Sequence, residues 1–352
     1  MKKLLFSLAV ISAVAVTAQV GINTDTPQAT LDISAKDNQE GGDLRIEGVK
    51  EGKSTQWLLV WDEKDNKLVK RTSLSEIKRE ILNEIRIDYI RKKYPDRAGD
   101  IINKIKRCAP ENILFDRHFG DGKHDFVYCA TTVSGDGYSR TWLNLNLGAE
   151  YANINSPHFN PTFSETGETI HSDENLYGSL YQWQRASDGH EFRNNKQTTD
   201  KKPQSWTATG DAAGKFITGG FNWVDGGERA LGSDLELWRA AGGYNNPCPS
   251  GYHVPTVQEW EDFHWAVTGN RSHVSTNQIR TQKKLPNLAA AGYRSYYGSL
   301  NYGGSHGDYW SSSADVNINA ARSMYFYRGY SGTKNASNRA DGNSVRCLKD
   351  DN

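Results

Sequence analysis

Four cysteines constrain the fold more than any other feature of the sequence: Cys108, Cys129, Cys248 and Cys347. An even number of cysteines in an exported chain favours two disulfides. Of the three pairings, we prefer Cys108 with Cys129 and Cys248 with Cys347. The second bridge would close a loop of about 100 residues and stabilise the fold by up to about 4–5 kcal/mol through loop entropy. Zinc is the competing use of four thiolates, but the sequence has no CxxC spacing, and we expect no metal site.

The N-terminal residues predict export. Lys2 and Lys3 precede an uncharged apolar run over 4–16, and small residues follow at Val16-Thr17-Ala18. This pattern is typical of a secretory signal peptide, which we assign to 1–18, and it is too short for a membrane span. The expected location is therefore periplasmic, secreted or at the cell surface.

Composition excludes two classes of partner. Lys and Arg number 42, as do Asp and Glu, so no net charge attracts nucleic acid or an anionic membrane. No later segment approaches the roughly 18 apolar residues of a transmembrane helix, and membrane insertion is not expected. The 33 Gly, 17 Tyr and 10 Trp favour short strands, turns and few helices. We predict an α+β fold with one large domain and a smaller N-terminal part.

Residues 19–72 are predicted to form a β-rich stem. Residues 30–33 alternate in polarity, and two strand-like segments, 57–61 and 67–70, flank a polar turn over 62–66, which predicts a hairpin. The opening QVGINTDTPQATLDI resembles the leader of many exported Bacteroidetes proteins. It also resembles stem segments of phage tail fibres, which often trimerise.

Residues 73–107 are predicted to form a helical linker. Ile77, Ile81, Ile85 and Tyr89 recur every four residues, Pro95 interrupts the pattern, and a second short helix surrounds 101–105. Two interpretations stay open. The helix is amphipathic and packs on its own domain, or it is a stalk that makes a homo-oligomer, although the heptad breaks at Glu84 and Asp88.

Residues 108–350 are predicted to form the main domain. Segments 126–129 and 142–147 are strand candidates. One clear helix begins after Thr256, an N-cap residue that Glu259 completes as a capping box. Trp260, Phe263 and Val267 would form its buried face.

Three segments of this domain carry a resemblance: YGSLYQWQRASDGHE (177–191), NPCPSGYHVPTVQEWEDF (246–263) and DYWSSSADVNINAARSMYFY with GNSVRCLKD (308–350). Together with SRTWLNLNLGAEYA (139–152), they resemble the Fibrobacter succinogenes major paralogous domain family. That family is similar to the formylglycine-generating branch of the C-type-lectin-like fold. The resemblance implies that the C-terminal strand closes the domain beside its N-terminal part. It supports the Cys248–Cys347 bridge and implies that Trp260 and Trp310 are scaffold residues.

Catalysis is not expected. Enzymes of this fold need paired reactive thiols or histidines on a metal, whereas the cysteines here suit bridges and the nine His show no ligand spacing. No catalytic triad, phosphate loop or carboxylate pair stands out. The sugar-binding triplets of calcium-dependent lectins are also absent. We expect no catalytic residue, no metal and no cofactor.

Residues 291–346 have the composition of a recognition surface. These 56 residues include 8 Tyr, 10 Ser, 8 Gly and 6 Asn, with one Lys and no Glu. Tyr offers rigid contact area, and Ser, Gly and Asn offer adaptable hydrogen bonds, as in antibody paratopes. The alternative is a Gly-rich β region whose Tyr residues only pack. The predicted ligand-binding residues are Tyr293, Arg294, Tyr296, Tyr297, Asn301, Tyr302, His306, Asp308, Asn317, Asn319, Tyr325, Tyr327, Arg328, Tyr330, Asn335 and Asn338.

The same region resembles variable regions of proteins diversified by retroelements. Such elements substitute adenines, chiefly in Asn codons, and yield Asn, Tyr, Ser, Asp, His and Gly. The sequence therefore predicts an exported ligand-binding or adhesion protein with a macromolecular or cell-surface ligand. The alternatives are a structural fimbrial or tip subunit, and a metalloenzyme of the formylglycine-generating fold.

Overall fold

The computed structural model describes residues 20–22, 31–33, 57–62, 68–135, 137–230, 232–239, 243–315 and 319–351. Three α-helices and several antiparallel sheets make the described chain an α+β protein, as predicted. The chain divides into two compact units, Met1–Ile77 and Lys78–Asn352. The predicted signal peptide, 1–18, and Asn317 lie outside the described residues. No helix in the described ranges is long and apolar enough to span a lipid bilayer.

The first unit contains two small sheets. Strands β1 (Val20–Ile22) and β2 (Leu31–Ile33) pair in parallel. Strands β3 (Trp57–Asp62) and β4 (Leu68–Ser73) form an antiparallel hairpin in which Asp62 pairs with Leu68. The hairpin predicted around the polar turn 62–66 is confirmed.

Two helices follow, α1 (Leu74–Lys93) and α2 (Ala98–Ile105). The break between them falls at Pro95, as predicted, because proline disfavours a helical conformation in the residue before it. Ile101, Ile102 and Ile105 of α2 are buried in a core cluster of the second unit. On α1, Ile90 is buried, whereas Ile81, Leu82 and Ile85 are exposed. The buried residues agree with packing on the second unit, and the oligomerising stalk stays a prediction.

The second unit is built from short strands and one further helix. In chain order they are β5 (Ile113–Phe115), β6 (Val127–Gly135), β7 (Tyr138–Leu143), β8 (Tyr181–Gln182), β9 (Thr198–Thr199), β10 (Phe216–Ile217), β11 (Tyr252–His253), α3 (Val257–Thr268), β12 (His273–Val274), β13 (Tyr293–Arg294), β14 (Leu300–Asn301), β15 (Gly307–Ala314), β16 (Ala320–Tyr327), β17 (Tyr330–Asn338), β18 (Gly342–Asn343) and β19 (Leu348–Lys349). Short 3₁₀ turns occur at Pro110–Asn112, Glu150–Ala152, Glu168–Ser172, Glu174–Leu176, Gly210–Ala212, Gly227–Arg229 and Gly232–Leu235.

Three antiparallel sheets organise these strands. Their orders are β11-β19-β7-β6-β5, β12-β17-β16-β15 and β14-β13-β18-β8, and β9 pairs with β10 in parallel. The C-terminal strand β19 lies between β7 and β11, so the end of the domain is hydrogen-bonded to its beginning. Strand β7 ends at Leu143, earlier than the predicted 142–147. Beyond it, the Asn144 and Asn146 side chains bond backbone carbonyls instead, and Leu147 N donates to Val345 O at 3.0 Å.

Helix α3 packs on the sheets as its pattern predicts. The Thr256 side chain accepts from Glu259 N and the Glu259 carboxylate accepts from Thr256 N, which confirms the capping box. Trp260 and Phe263 are fully buried, and the Trp260 indole N–H donates to Trp310 O at 3.1 Å. Trp310 is fully buried as well, so the aromatic residues predicted as scaffold lie in the core.

Both preferred cysteine pairs are disulfides, Cys108–Cys129 and Cys248–Cys347. The second joins positions 99 residues apart and lies beside Arg346, whose side chain is fully buried. The five N–H groups of Arg346 make six hydrogen-bond contacts, two to Asn146 Oδ1 and one each to the carbonyls of residues 143, 144, 286 and 287, and the two N–H groups of Nη1 share three of these carbonyls. Burial lowers its pKa to about 10, and the carbonyl oxygens around it stabilise the remaining charge. Three separate chain segments thus meet on one side chain.

Arg346→Lys should destabilise the second unit strongly. Lysine lacks the planar fork of donors, so several buried carbonyls would lose their hydrogen bonds. We expect the free energy of unfolding to fall by more than about 3 kcal/mol in urea denaturation. The matched control is Arg328→Lys, at an exposed position, which should change stability by less than about 0.5 kcal/mol. Similar losses for both variants would contradict this role of Arg346.

Candidate recognition site

A cavity opens on the outer face of the C-terminal sheets. It has a volume of about 350 Å³, within the range of small-molecule sites. Strands β13 and β15–β18 and the turn after β14 supply its walls. The lining residues are Tyr293, Tyr302, His306, Asp308, Tyr325, Asn335, Ala336, Ser337, Asn338, Asp341 and Asn343.

Alternation along β16 separates this face from the core. Met324 and Phe326 are fully buried, whereas Tyr325 and Tyr327 are partly or largely exposed. Successive side chains of a strand point to opposite faces, so the two tyrosines lie together. Asp308 of β15 is the cross-strand partner of Tyr325, which brings this carboxyl to the same face.

The turn after β14 carries Tyr302 in an unusual backbone conformation. Its φ is +58°, in the left-handed region that glycine favours, and its carbonyl accepts from the N–H groups of Ser305 and His306 at 3.0 Å. The turn lies close to Gly292, where a Cβ would be 2.1 Å from Asn301 O. Only glycine permits this approach. Strain of this kind in a bulky residue is concentrated at functional sites, which marks Tyr302 as a candidate.

Aromatic rings form a continuous row from the cavity across the sheet. The Tyr293 and Tyr302 rings lie 6.0 Å apart between centroids, and Tyr302 and His306 lie 4.3 Å apart. His306 then contacts Tyr325 at 5.7 Å and Tyr327 at 5.3 Å. The Tyr327 and Tyr330 rings stack at 5.6 Å, opposite each other at the hairpin of β16 and β17. These separations suit offset and edge contacts between rings.

Two carboxyl groups line the cavity in different ways. Asp341 is held by the backbone, since Oδ1 accepts from Tyr296 N at 2.8 Å and Oδ2 from Asn338 N at 3.1 Å. Asp308 is 5% exposed, and its Oδ2 has no hydrogen-bond partner. Burial, together with the charge of Asp341, raises the pKa of Asp308 to about 7. Burial also raises the pKa of Asp341, to about 6.

Polar groups around these carboxyls are only partly satisfied. Asn343 is almost fully buried, and its Nδ2 has no acceptor. Of the described residues that line the cavity, none is Lys or Arg. Burial and the nearby positive charge of Arg280 lower the pKa of His306, so this ring is neutral at pH 7. The cavity therefore has aromatic walls, and an unpaired acceptor and an unpaired donor are buried in the side chains that line it.

Seven of the predicted ligand-binding residues meet at this cavity: Tyr293, Tyr302, His306, Asp308, Tyr325, Asn335 and Asn338. Tyr327 and Tyr330 extend it as the aromatic row. All seven come from the one segment that composition marked, and strands of two sheets, β14-β13-β18-β8 and β12-β17-β16-β15, bring them together.

Other predicted residues lie elsewhere. Arg294 is buried over the Phe216 ring and donates to Gly298 O and Asn195 O, so it supports the scaffold. Strand alternation explains this, because Arg294 follows Tyr293 and faces the opposite side. Tyr296 and Tyr297 form a separate exposed patch with Phe221.

The remaining polar residues of the prediction serve local structure. The Asn301 amide donates to Ser299 O in its own turn, and Asn319 Oδ1 accepts from Asn222. Arg328 is exposed and lies 3.5 Å from a Glu168 carboxylate oxygen. None of the three lines the cavity.

Four lining residues were not predicted: Ala336, Ser337, Asp341 and Asn343. Asp341 and Asn343 belong to the segment that resembles the family scaffold, which is why their polar side chains were not selected. The sequence signal that could have identified Asp341 is a carboxyl directly before a strand of small residues. The pairing of β18 with β13 then places Asp341 and Asn343 in the site.

Two other polar sites occur among the described residues. Asp188, His190 and Glu191 place ligand atoms within 4.8 Å of one another. However, His190 Nδ1 bonds Asp188 Oδ1 at 2.8 Å, and its Nε2 accepts from Gln182 N, so the cluster is a satisfied internal network. A second cavity of about 300 Å³ beside α3 contains paired charges such as Arg140 with Glu259.

Comparison of the chain with protein-family models, with curated proteins and with solved structures finds no match.

Replacing Asp308 with Asn should alter the pH dependence of stability. The carboxyl has a pKa of about 7 in the folded protein and about 3.9 when unfolded, so the folded state binds its proton more tightly. This contribution is greatest below pH 4 and is lost as the pH rises through 7. Asp308→Asn should therefore gain stability relative to the wild type between pH 4 and pH 8, by at most about 4 kcal/mol at 1.36 kcal/mol per pKa unit.

Urea denaturation at several pH values measures this difference. Asp96→Asn, at an exposed position outside the cavity, is the matched control and should follow the wild type. An offset for Asp308→Asn that is the same at pH 5 and pH 8 would show that Asp308 ionises normally.

The backbone at Tyr302 can be tested separately from its ring. Both Tyr302→Gly and Tyr302→Ala remove the ring, but only glycine adopts a positive φ without strain. The glycine variant should be the more stable of the two by about 1 kcal/mol. At Tyr297, whose φ is not positive, the order should reverse. Alanine more stable than glycine at position 302 would refute the left-handed conformation.

Proposed function

We propose that the chain is an exported, non-enzymatic ligand-binding or adhesion protein. Its second unit would be a C-type-lectin-like domain related to the Fibrobacter succinogenes major paralogous domain family. The position of β19 beside β7 supports this, because that fold joins its C-terminal strand to its N-terminal part. The Cys248–Cys347 bridge between the two motif segments supports it as well.

Export is supported by the cysteines. All four are in disulfides, which persist in oxidising compartments outside the cytoplasm. The periplasm, the medium and the cell surface all satisfy this condition. The same bridges favour a structural role for these cysteines over the paired reactive thiols of the enzyme alternative.

One observation carries the binding proposal. Residues predicted from composition alone converge on a cavity that also contains a buried carboxyl oxygen without a donor and a left-handed tyrosine. A Gly-rich region whose tyrosines only pack would bury these rings and satisfy these atoms. Instead, Tyr302 is 56% exposed and Tyr327 is 37% exposed.

The shape of the site suits an extended ligand. One group of the ligand would enter the cavity, and the rest would lie along the aromatic row that ends at Tyr330. Rigid aromatic anchors with a polar surround are typical of interface hot spots. A macromolecular or cell-surface ligand fits this arrangement.

Diversification by a retroelement remains part of the proposal. Tyr293, Tyr302, His306, Asp308 and Asn335 are residue types that adenine substitution in Asn codons produces, and all five line the cavity. Variation at these positions would change the ligand while the buried face of β16 stays constant. A reverse-transcriptase gene with a template repeat matching 291–346 beside the coding sequence would establish this origin.

Binding to glycan and peptide arrays tests the function. The proposal expects the wild-type protein to bind a defined subset, and expects Tyr302→Ala and Asn335→Ala to lower that signal about ten-fold or more. Both side chains are exposed, so the melting temperature should move by no more than about 2 °C.

Tyr244→Ala is the matched control, because Tyr244 is 72% exposed and does not line the cavity. It should retain full binding. Tyr297→Ala separates the cavity from the neighbouring patch and should also retain it. Array signals that persist in both cavity variants would refute the site, and a large loss of stability would assign these side chains to the core.

A further inference from the structure

The charge balance of the cavity restricts its ligand. Asp308 and Asp341 contribute two carboxyl groups, and the described lining contains no Lys or Arg. Arg280, whose charge acts on His306, is engaged with Glu168 and with the carbonyls of Gly304 and Ser305. A cation that pairs with these carboxyls, when they are ionised, must therefore come from the occupant.

Two unpaired buried atoms restrict the chemistry of the ligand further. Asp308 is only 5% exposed, and no donor is hydrogen-bonded to its Oδ2. Asn343 is 1% exposed, and its Nδ2 lacks an acceptor. Buried polar atoms without partners are rare and costly, so each calls for a complementary atom on a ligand. The occupant needs an N–H or O–H donor and, close to it, an oxygen acceptor.

The aromatic walls favour a positive charge in the same place. Tyr293, Tyr302 and Tyr325 surround the carboxyl with rings, and ring faces attract cations. A quaternary ammonium would satisfy the rings but cannot donate to Asp308 Oδ2. A metal ion would prefer a shell of oxygen ligands to ring faces. A protonated primary amine satisfies the rings and the carboxyl together.

We propose that the cavity binds the ammonium group of an amino sugar with a free amine. After rotation of both buried side chains toward the cavity, the ammonium would donate to Asp308, and a neighbouring hydroxyl oxygen would accept from Asn343. Ser337, Asn335 and Asn338 line the same cavity and suit a ligand rich in hydroxyl groups. This assignment rests on the proposed function, since it names the ligand class of that site.

Calorimetric titration of the full chain with glucosamine tests the assignment. Glucosamine should bind, and N-acetylglucosamine and glucose should bind about ten-fold more weakly or worse, because neither carries the ammonium. Asp308→Asn should remove the preference for glucosamine. Asp96→Asn, the exposed control, should keep it.

Proton release supplies an independent result. The groups that face Asp308 from the surrounding elements are Asp341, Tyr293, Tyr302, His306 and Tyr325. The ammonium requires an ionised Asp308, so binding at pH 6 should release protons, which titration in buffers of different ionisation enthalpy detects. As the pH rises toward 7 and Asp308 ionises, the affinity for glucosamine should increase about ten-fold per pH unit, and it should level off above pH 7.

Several results would contradict the assignment of an amino sugar as the ligand. Equal binding of glucose and glucosamine would remove the need for a cation. Tighter binding of Nα-acetyl-lysine amide than of glucosamine would assign the cavity to a protein side chain. Ca²⁺ binding that Asp308→Asn abolishes, without amine binding, would make it a metal site. In each case the loss of array signal in Tyr302→Ala would still support the cavity as a binding site, so the two proposals fail separately.

Discussion

The buried guanidinium of Arg346 is the interaction on which the second unit depends. It fixes the carbonyls that follow β7 and those before β13, and its neighbour Cys347 is bonded to Cys248. Asn343, three residues earlier, forms a wall of the cavity. The segment 341–347 therefore lines the cavity at one end and is held by the Arg346 hydrogen bonds and the Cys248–Cys347 disulfide at the other.

The sheet of β15–β17 divides its residues between stability and recognition. The buried side, with Met324 and Phe326, packs on the core. The outer side carries the partly exposed Tyr325 and Tyr327 and the buried Asp308. Substitutions on this side change the surface without removing core volume, so recognition could vary while the fold is retained. The unsatisfied Asp308 is the exception, because its burial reduces stability at neutral pH.

Local patterns predicted local structure well. The hairpin of β3 and β4, the break at Pro95, the capping box of Thr256 and Glu259, and both disulfides follow from spacing, from turn chemistry or from the family resemblance. The end of β7 was mispredicted because Asn144 and Asn146 bond distant backbone groups. Only the folded chain supplies those partners.

The site was predicted only in part, because some of its residues come together through contacts that form only in the folded chain. Composition identified the tyrosines and Asn335. It could not show that Arg294 lies on the side of its strand that faces away from the cavity. Asp341 and Asn343 enter the site through the pairing of β18 with β13, a contact between segments about 50 residues apart in sequence. The unpaired Oδ2 of Asp308 depends on every surrounding atom, and no sequence pattern encodes it.

Ligand entry between Tyr293, Tyr302 and Tyr325 can be observed on the tyrosine rings themselves. NMR spectra of protein with ¹³C-labelled tyrosine rings would be recorded while a ligand identified on the arrays is added. We expect shifts for these three rings and none for Tyr244 or Tyr297. Shifts confined to Tyr296 and Tyr297 would instead place binding on the neighbouring patch and refute the cavity as the site.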